Sequence, residues 1–164
     1  MIFEDTPKTS TTASSFLQWS VIETSNAQTN FEGWSRADVS KCGGTTVLGG
    51  HCHFSEEEIT KTYSLPEHSW LRIAANYHML DNWDGELGYM LLDGQMVWSQ
   101  HGTTETSTGN VCGGEGEDRV NIPIYVTRPH TNHNVTLTFG STLTSDPCHA
   151  SFAIDNVAVY TRSS

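Results

Sequence analysis

Cations are scarce in this chain. Its 164 residues hold eight Lys and Arg against nineteen Asp and Glu, a formal net charge of −11. Binding to phosphates needs clustered cations, so nucleic acid is not an expected partner. An anionic membrane surface is disfavoured on the same ground. Divalent cations suit the charge, and so does plain solubility. Long apolar runs are missing too, and without about 20 such residues in a row no membrane insertion is expected. Met1–Ser15 has no basic start followed by an apolar core, so no signal peptide is read there. The chain is read either as a mature form or as one domain of a larger protein. No stretch keeps a convincing helical period, and no internal repeat occurs.

The four cysteines, Cys42, Cys52, Cys112 and Cys148, include no Cys-x-x-Cys. An even count without that motif suggests two disulfides, and three pairings are open. Cys42–Cys52 with Cys112–Cys148 is favoured, because the first pair brackets a Gly-rich turn from Gly43-Gly44 to Gly49-Gly50. Disulfides imply an oxidising compartment. Asn134-Val135-Thr136 is a glycosylation acceptor triplet. Together these features lean toward an extracellular or cell-surface location.

What is present is strand pattern. From Trp70, Leu71, Ile73, Ala75, Tyr77 and Met79 fall on one face, and Arg72, Ala74, Asn76 and His78 on the other. That period of two marks a half-buried strand. An acidic loop, Asp81–Glu86, follows. Leu87–Leu92 is apolar, Asp93-Gly94 is a hairpin turn signal, and Gln95–Ser99 returns. Phe16–Glu23, Thr45–Leu48, Ile59–Leu65 and Val135–Phe139 read as further strands. Val120–Val126 does too, with Pro123 confining it to an edge or a bulge. In the last strand, Ala150–Tyr160, the apolar phase slips at Asp155-Asn156. A bulge there returns both Phe152/Ile154 and Val157/Val159 to the core. About eight strands with turn signals every ten residues or so predict an all-β, antiparallel jelly-roll β-sandwich over 16–164. Residues 1–15 read as a flexible or extended N-terminal arm.

The order of short motifs adds a resemblance. Cys-Gly-Gly…Leu-Gly-Gly, Lys-Thr-Tyr-Ser-Leu-Pro, Asn-Trp-Asp-Gly-Glu, Asn-Val-Cys-Gly, Val-Thr-Arg-Pro-His-Thr, Leu-Thr-Phe-Gly-Ser-Thr-Leu, Asp-Pro-Cys and Phe-Ala-Ile-Asp-Asn-Val succeed one another over residues 31–160. The series resembles a module of surface and secreted proteins of ciliated protists. The closing strand is similar to those ending galactose-binding-like jelly rolls and MAM- and reelin-type adhesive modules. The resemblance implies an extracellular β-sandwich for adhesion or assembly, with no catalytic residues.

Candidate sites follow from residue chemistry. Calcium takes six to eight hard oxygens. Jelly rolls of the resembled type often hold it between first and last strands, which here draws on Glu32 and Asp155. Asp81, Asp84 and Glu86 in the acidic loop are a second option, against an ordinary turn at Asp84-Gly85. A glycan surface is expected at Trp83, whose ring faces a sugar while Asp81, Asn82, Asp84 and Glu86 take its hydroxyls; the competing reading makes Trp83 a lid over one sandwich end. Trp19, Trp34, Trp70 and Trp98 are expected in the core. His51 and His53 share a strand face, as two zinc ligands need, but Cys52 is expected in a disulfide and no third ligand is fixed. Nothing places two carboxyls across a cleft as a glycosidase requires, so no enzyme is expected. The expected function is extracellular recognition of a glycan or a cell-surface or matrix protein, with calcium support. The alternatives are a filament or coat subunit assembled through its arm, and a carbohydrate-active enzyme.

Overall fold

The computed structural model describes residues 18–103 and 107–163, so the arm expected at 1–15 lies outside the described residues. Ten strands follow in order: β1 Ser20–Ser25, β2 Val39–Cys42, β3 Thr45–Phe54, β4 Ile59–Ser64, β5 Trp70–Asp81, β6 Leu87–Leu92, β7 Gln95–His101, β8 Arg119–Pro129, β9 Asn134–Ser141 and β10 Ala150–Arg162. One short 3₁₀ turn, Ala27–Thr29, is capped by the Asn26 side chain. The strands make an antiparallel jelly-roll sandwich. The larger sheet runs β2-β3-β10-β5-β8, with β1 also on β10, and the smaller runs β4-β9-β6-β7.

β5 sits in the larger sheet between β10 and β8, and its alternate residues Leu71 to Met79 are buried as the pattern requires. Tyr77 fills the centre of the sandwich. Its ring stacks on Phe152 at 5.4 Å, meets Trp83 edge-on at 6.4 Å and Trp98 at 5.2 Å. Its hydroxyl donates to the Gly140 carbonyl at 2.8 Å. β8 is the edge strand that Pro123 demands. β10 carries the expected bulge: its register against β5 jumps between Asp155 and Ala158, Asn156 takes a φ of 50°, and Phe152, Ile154, Val157 and Val159 are all fully buried.

Three expectations are corrected. First, ten strands lie among the described residues. β2 is only four residues long and lies at an edge, too short to leave a period, while β3 runs on through Gly49-Gly50 to Phe54. Second, Trp19 and Trp70 lie partly exposed outside the core, on the outer face of the larger sheet; Trp34 is buried as expected. Third, the disulfides are Cys42–Cys112 and Cys52–Cys148. The reason is register. Gly43 and Gly44, both at positive φ, close a two-residue turn directly after Cys42, which pairs with Thr45. Cys52 then lies seven residues farther along β3, roughly 20 Å away at the usual strand rise. It reaches instead the β9–β10 connection. Between Gly49 and Phe54 the β3 register leaves β10, and Cys52 turns outward at φ 67°. Gly49 permits this, since a Cβ there would sit 2.3 Å from the Phe54 ring.

The other disulfide fastens the long polar connection before β8. Leu80 and Ala153 alternate with the core-facing Met79 and Phe152, so they point away from the smaller sheet. With Cys42 and Val47 they form a second small apolar cluster, against which Cys112 and Val120 pack. Residues 107–118 therefore cover this part of the larger sheet's outer face.

Candidate functional site

At the acidic-loop end the carboxylates hold backbone. Asp81 closes β5 with φ 69°; its carboxylate accepts the Gly114 N–H at 3.0 Å and meets His51 Nδ1 at 3.0 Å. Asp118 is wholly buried. One of its oxygens accepts the Asp81 N–H at 2.9 Å, and the other accepts those of Val111 at 2.8 Å and Cys112 at 2.9 Å. These two side chains clamp residues 107–118 onto the sheet. Burial pushes the Asp118 carboxyl above its usual range, against the downward pull of the three N–H donors. A carboxyl raised on folding contributes stability that is full below its unfolded value of about 3.9 and is lost as pH rises through the folded value. Asp118→Asn should lower stability by about 1–3 kcal/mol, because whichever way the amide turns its NH₂ faces a backbone N–H donor. The deficit relative to the wild type should be widest at acid pH and narrow as pH rises. Urea melts over a pH series measure both; an unchanged melting curve would remove the clamp.

The Trp83 expectation is corrected. The indole is 4% exposed and its Nε1–H donates to the Ser151 carbonyl at 2.9 Å, so it offers no face to a sugar. The acidic loop's side chains diverge as well. Asn82 donates to the His149 carbonyl at 3.1 Å, Glu86 accepts the Asp84 N–H at 2.5 Å, and Asp84 is exposed. For the calcium residues, Asp81 faces His51 and Gly114, while Asp155 accepts from His78 Nε2 at 2.9 Å. Glu32 is exposed, and its carbonyl takes Lys61 Nζ at 2.5 Å. Among the described residues no three His, Cys, Asp or Glu side chains group as metal ligands do. His51 and His53 meet different carboxylates, Asp81 and Asp38, and Cys52 is in a disulfide. Asn134 is exposed at the head of β9.

His78 and Asp155 are both buried. The Asn121 N–H donates to His78 Nδ1 at 3.0 Å, so the ring proton sits on Nε2 and goes to Asp155. Both ring nitrogens are thereby occupied. The pair bridges β5 and β10 beside the β10 bulge and has no nitrogen left to take a proton from a substrate.

The opposite end is open. Asp93-Gly94, both at positive φ, forms the tight tip of the β6–β7 hairpin. Between this tip and the end of β8 lies a groove of about 480 Å³, lined by Leu92, Asp93, Gln95, Met96, Val97, Arg128, Pro129 and His130. Asp93 is anchored: one carboxylate oxygen accepts the Thr136 N–H at 2.9 Å, and the other meets His130 Nε2 at 3.3 Å. Behind it His130 Nδ1 and His68 Nε2 are 2.8 Å apart, and His68 Nδ1 reaches the Pro66 carbonyl at 2.6 Å. That chain has three gaps between a carbonyl and a carboxylate. The groove joins an anchored carboxylate, an amide, a guanidinium and an imidazole to the aliphatic surfaces of Met96, Val97 and Pro129.

The sequence reading missed this constellation. Asp93-Gly94 and Arg128–His133 each carry an ordinary turn signal. They meet only because β6 lies beside β9 in the smaller sheet, with Leu92 opposite Leu137.

No family model matches the chain, and no curated protein matches it. Among solved structures, it is similar to part of dimeric latent PorU from Porphyromonas gingivalis, at 15% identity and a TM-score of 0.48, over 70% of this chain and 11% of that one. The chain therefore spans about a tenth of that protein's length. It is also similar to a family 35 carbohydrate-binding module from Clostridium thermocellum, at 11% identity and a TM-score of 0.44, covering 87% of this chain and 97% of that one. A carbohydrate-binding module that recognises mannan, TmCBM27, matches at 15% identity and a TM-score of 0.45, covering 89% and 99%. Likeness at this level says nothing about what this chain binds.

Proposed function

We propose that this chain is a non-catalytic, extracellular glycan-binding module that takes a saccharide unit in the groove at the β6–β7 tip. One observation carries the reading: a sugar-sized open groove in which Asp93, Gln95, Arg128 and His130 converge beside aliphatic surface. Sites for small ligands fall in this volume range and fix orientation with a few polar groups. Planar carboxylate, amide and guanidinium groups each reach two neighbouring hydroxyls, while aliphatic side chains cover the C–H face of the ring. The groove lining holds a single carboxylate, Asp93, already engaged by His130 and Thr136. Glycoside hydrolysis in its usual form needs two carboxyls flanking the bond, so the site recognises without cleaving. The two disulfides support an oxidising compartment for the module.

A glycan array tests this. The wild type should retain oligosaccharides, and Gln95→Ala and Arg128→Gln should each weaken binding about tenfold, the loss of one or two good hydrogen bonds. Both side chains are solvent-exposed, so melting should not change. An array without ligands, or variants that bind like the wild type, would overturn the reading.

A further inference from the structure

A second surface lies on the outer face of the larger sheet, away from the groove. Trp70 stands opposite Arg162, Arg72 opposite Tyr160 and Thr127, and Ala74 opposite Ala158 and Tyr125. Trp19, just ahead of β1, folds over this face. The Arg72 guanidinium lies 4.0 Å from the Trp19 ring centre and 4.9 Å from that of Tyr125. The Arg162 guanidinium lies 5.0 Å from Trp19 and 5.4 Å from Trp70. Rings and guanidiniums thus alternate in the order Tyr125, Arg72, Trp19, Arg162, Trp70. Beside them Ala74 is half-buried and Ala158 buried, and the outermost ring, Tyr125, is 65% exposed.

Stacking covers the faces of a guanidinium and leaves its N–H donors pointing outward in the plane. Arg72 spends its Nε on Thr127 Oγ1 at 3.1 Å. Among the described residues no carboxylate pairs with either arginine, and Arg162 Nε is buried without a hydrogen-bond partner. Three other cations are engaged, Arg36 with Asp38 and Glu57, Lys61 with Glu23, and Arg119 with the His101 carbonyl, whereas Lys41 and Arg128, like Arg72 and Arg162, have no carboxylate partner among the described residues. These two guanidiniums are adjacent and held between aromatic rings, which sets them apart from the other cations of the described residues. An outward guanidinium edge fits a planar or tetrahedral oxyanion bidentately, and the exposed Tyr125 ring fits the flat face of a sugar.

We infer that this face is a binding site for anionic saccharides, chains whose sugar units carry carboxylate or sulfate groups. The sugar packs on Tyr125 and the anion takes the free edge of Arg72. The site is separate from the groove, so each stands or falls alone.

The experiment is affinity electrophoresis of the oxidised protein through gels holding a polyuronate, a sulfated polysaccharide or a neutral polysaccharide. At low salt at least one anionic gel should retard the wild type; which of the two does so identifies the anion. Added salt should weaken the retardation. Tyr125→Ala, which alters an exposed side chain, and Arg72→Gln should each weaken it about tenfold, whereas Lys41→Gln, at an exposed cation on β2, should not. Tyr125→Ala behaving like the wild type in the anionic gels would overturn the site, and so would neutral-gel retardation that Tyr125→Ala and Arg72→Gln weaken as much as they weaken the anionic. Equal retardation by single-stranded DNA would reduce it to bare charge and overturn it too. If Arg72→Gln misfolds by circular dichroism, Tyr125→Ala decides alone.

Discussion

Replacing Cys42 and Cys112 together by alanine should lower the free energy of unfolding by about 4–5 kcal/mol, and replacing Cys52 and Cys148 should cost about as much. The bridges close segments of 70 and 96 residues. Long closures remove the most freedom from the unfolded chain, which is where this stabilisation chiefly arises. A domain of this size has only about 5–15 kcal/mol in total, so either loss is a large fraction of the whole. The two variants should differ in where they loosen. Without Cys42–Cys112, the cover formed by 107–118 loses its covalent tie and is held by the Asp81 and Asp118 carboxylates and by packing, so the Val111 and Cys112 position N–H groups should exchange much faster than in the other variant. Without Cys52–Cys148, the loosening should fall on the β9–β10 connection. Urea melts and amide exchange read the two effects; a loss below about 1 kcal/mol in either variant would mean that the bridge merely decorates a cover held by other contacts.

The strands that the sequence announced are those buried on one face and long enough to repeat. β5 shows five alternating core residues in a row, and the β10 phase slip could be read as a bulge because two apolar pairs flank it. β2 has four residues at an edge and no period to read. Disulfide pairing was illegible for a related reason. The Cys42-Gly43-Gly44-Thr45 turn sets the β2–β3 register, and only that register carries Cys52 out of reach of Cys42. The candidate site was hidden more deeply. Aspartate before glycine announces a hairpin tip whether or not its carboxylate lines a groove, and Arg128 and His130 sit in a segment that reads as any polar turn. Conversely Trp83, in the polar company of Asp81, Asn82 and Asp84, looked like a sugar platform. A tryptophan at the end of a strand has two places to go, over the core or into solvent. Its neighbours in sequence do not decide which; the space left above Tyr77 does.

Trp83→Ala should therefore act on stability and leave recognition intact. Its ring packs against Tyr77 and lies beneath Gly102, where a Cβ would come within 2.5 Å of it. Removing a buried tryptophan costs about 3–5 kcal/mol through lost burial and the cavity left behind. Loss of Nε1–H also leaves the Ser151 carbonyl without its indole donor. A chain of this length should then melt roughly 10 °C lower. Trp83→Phe keeps most of the packing and should recover the larger part of that loss, short of the hydrogen bond. Per folded molecule, both variants should bind saccharide as the wild type does, since the groove lies at the other end of the sandwich. The decisive comparison is melting temperature against glycan affinity in the same preparations. If Trp83→Ala melts normally but no longer binds sugar, the indole faces solvent at a binding surface, and the recognition site belongs to the acidic loop rather than to the β6–β7 tip.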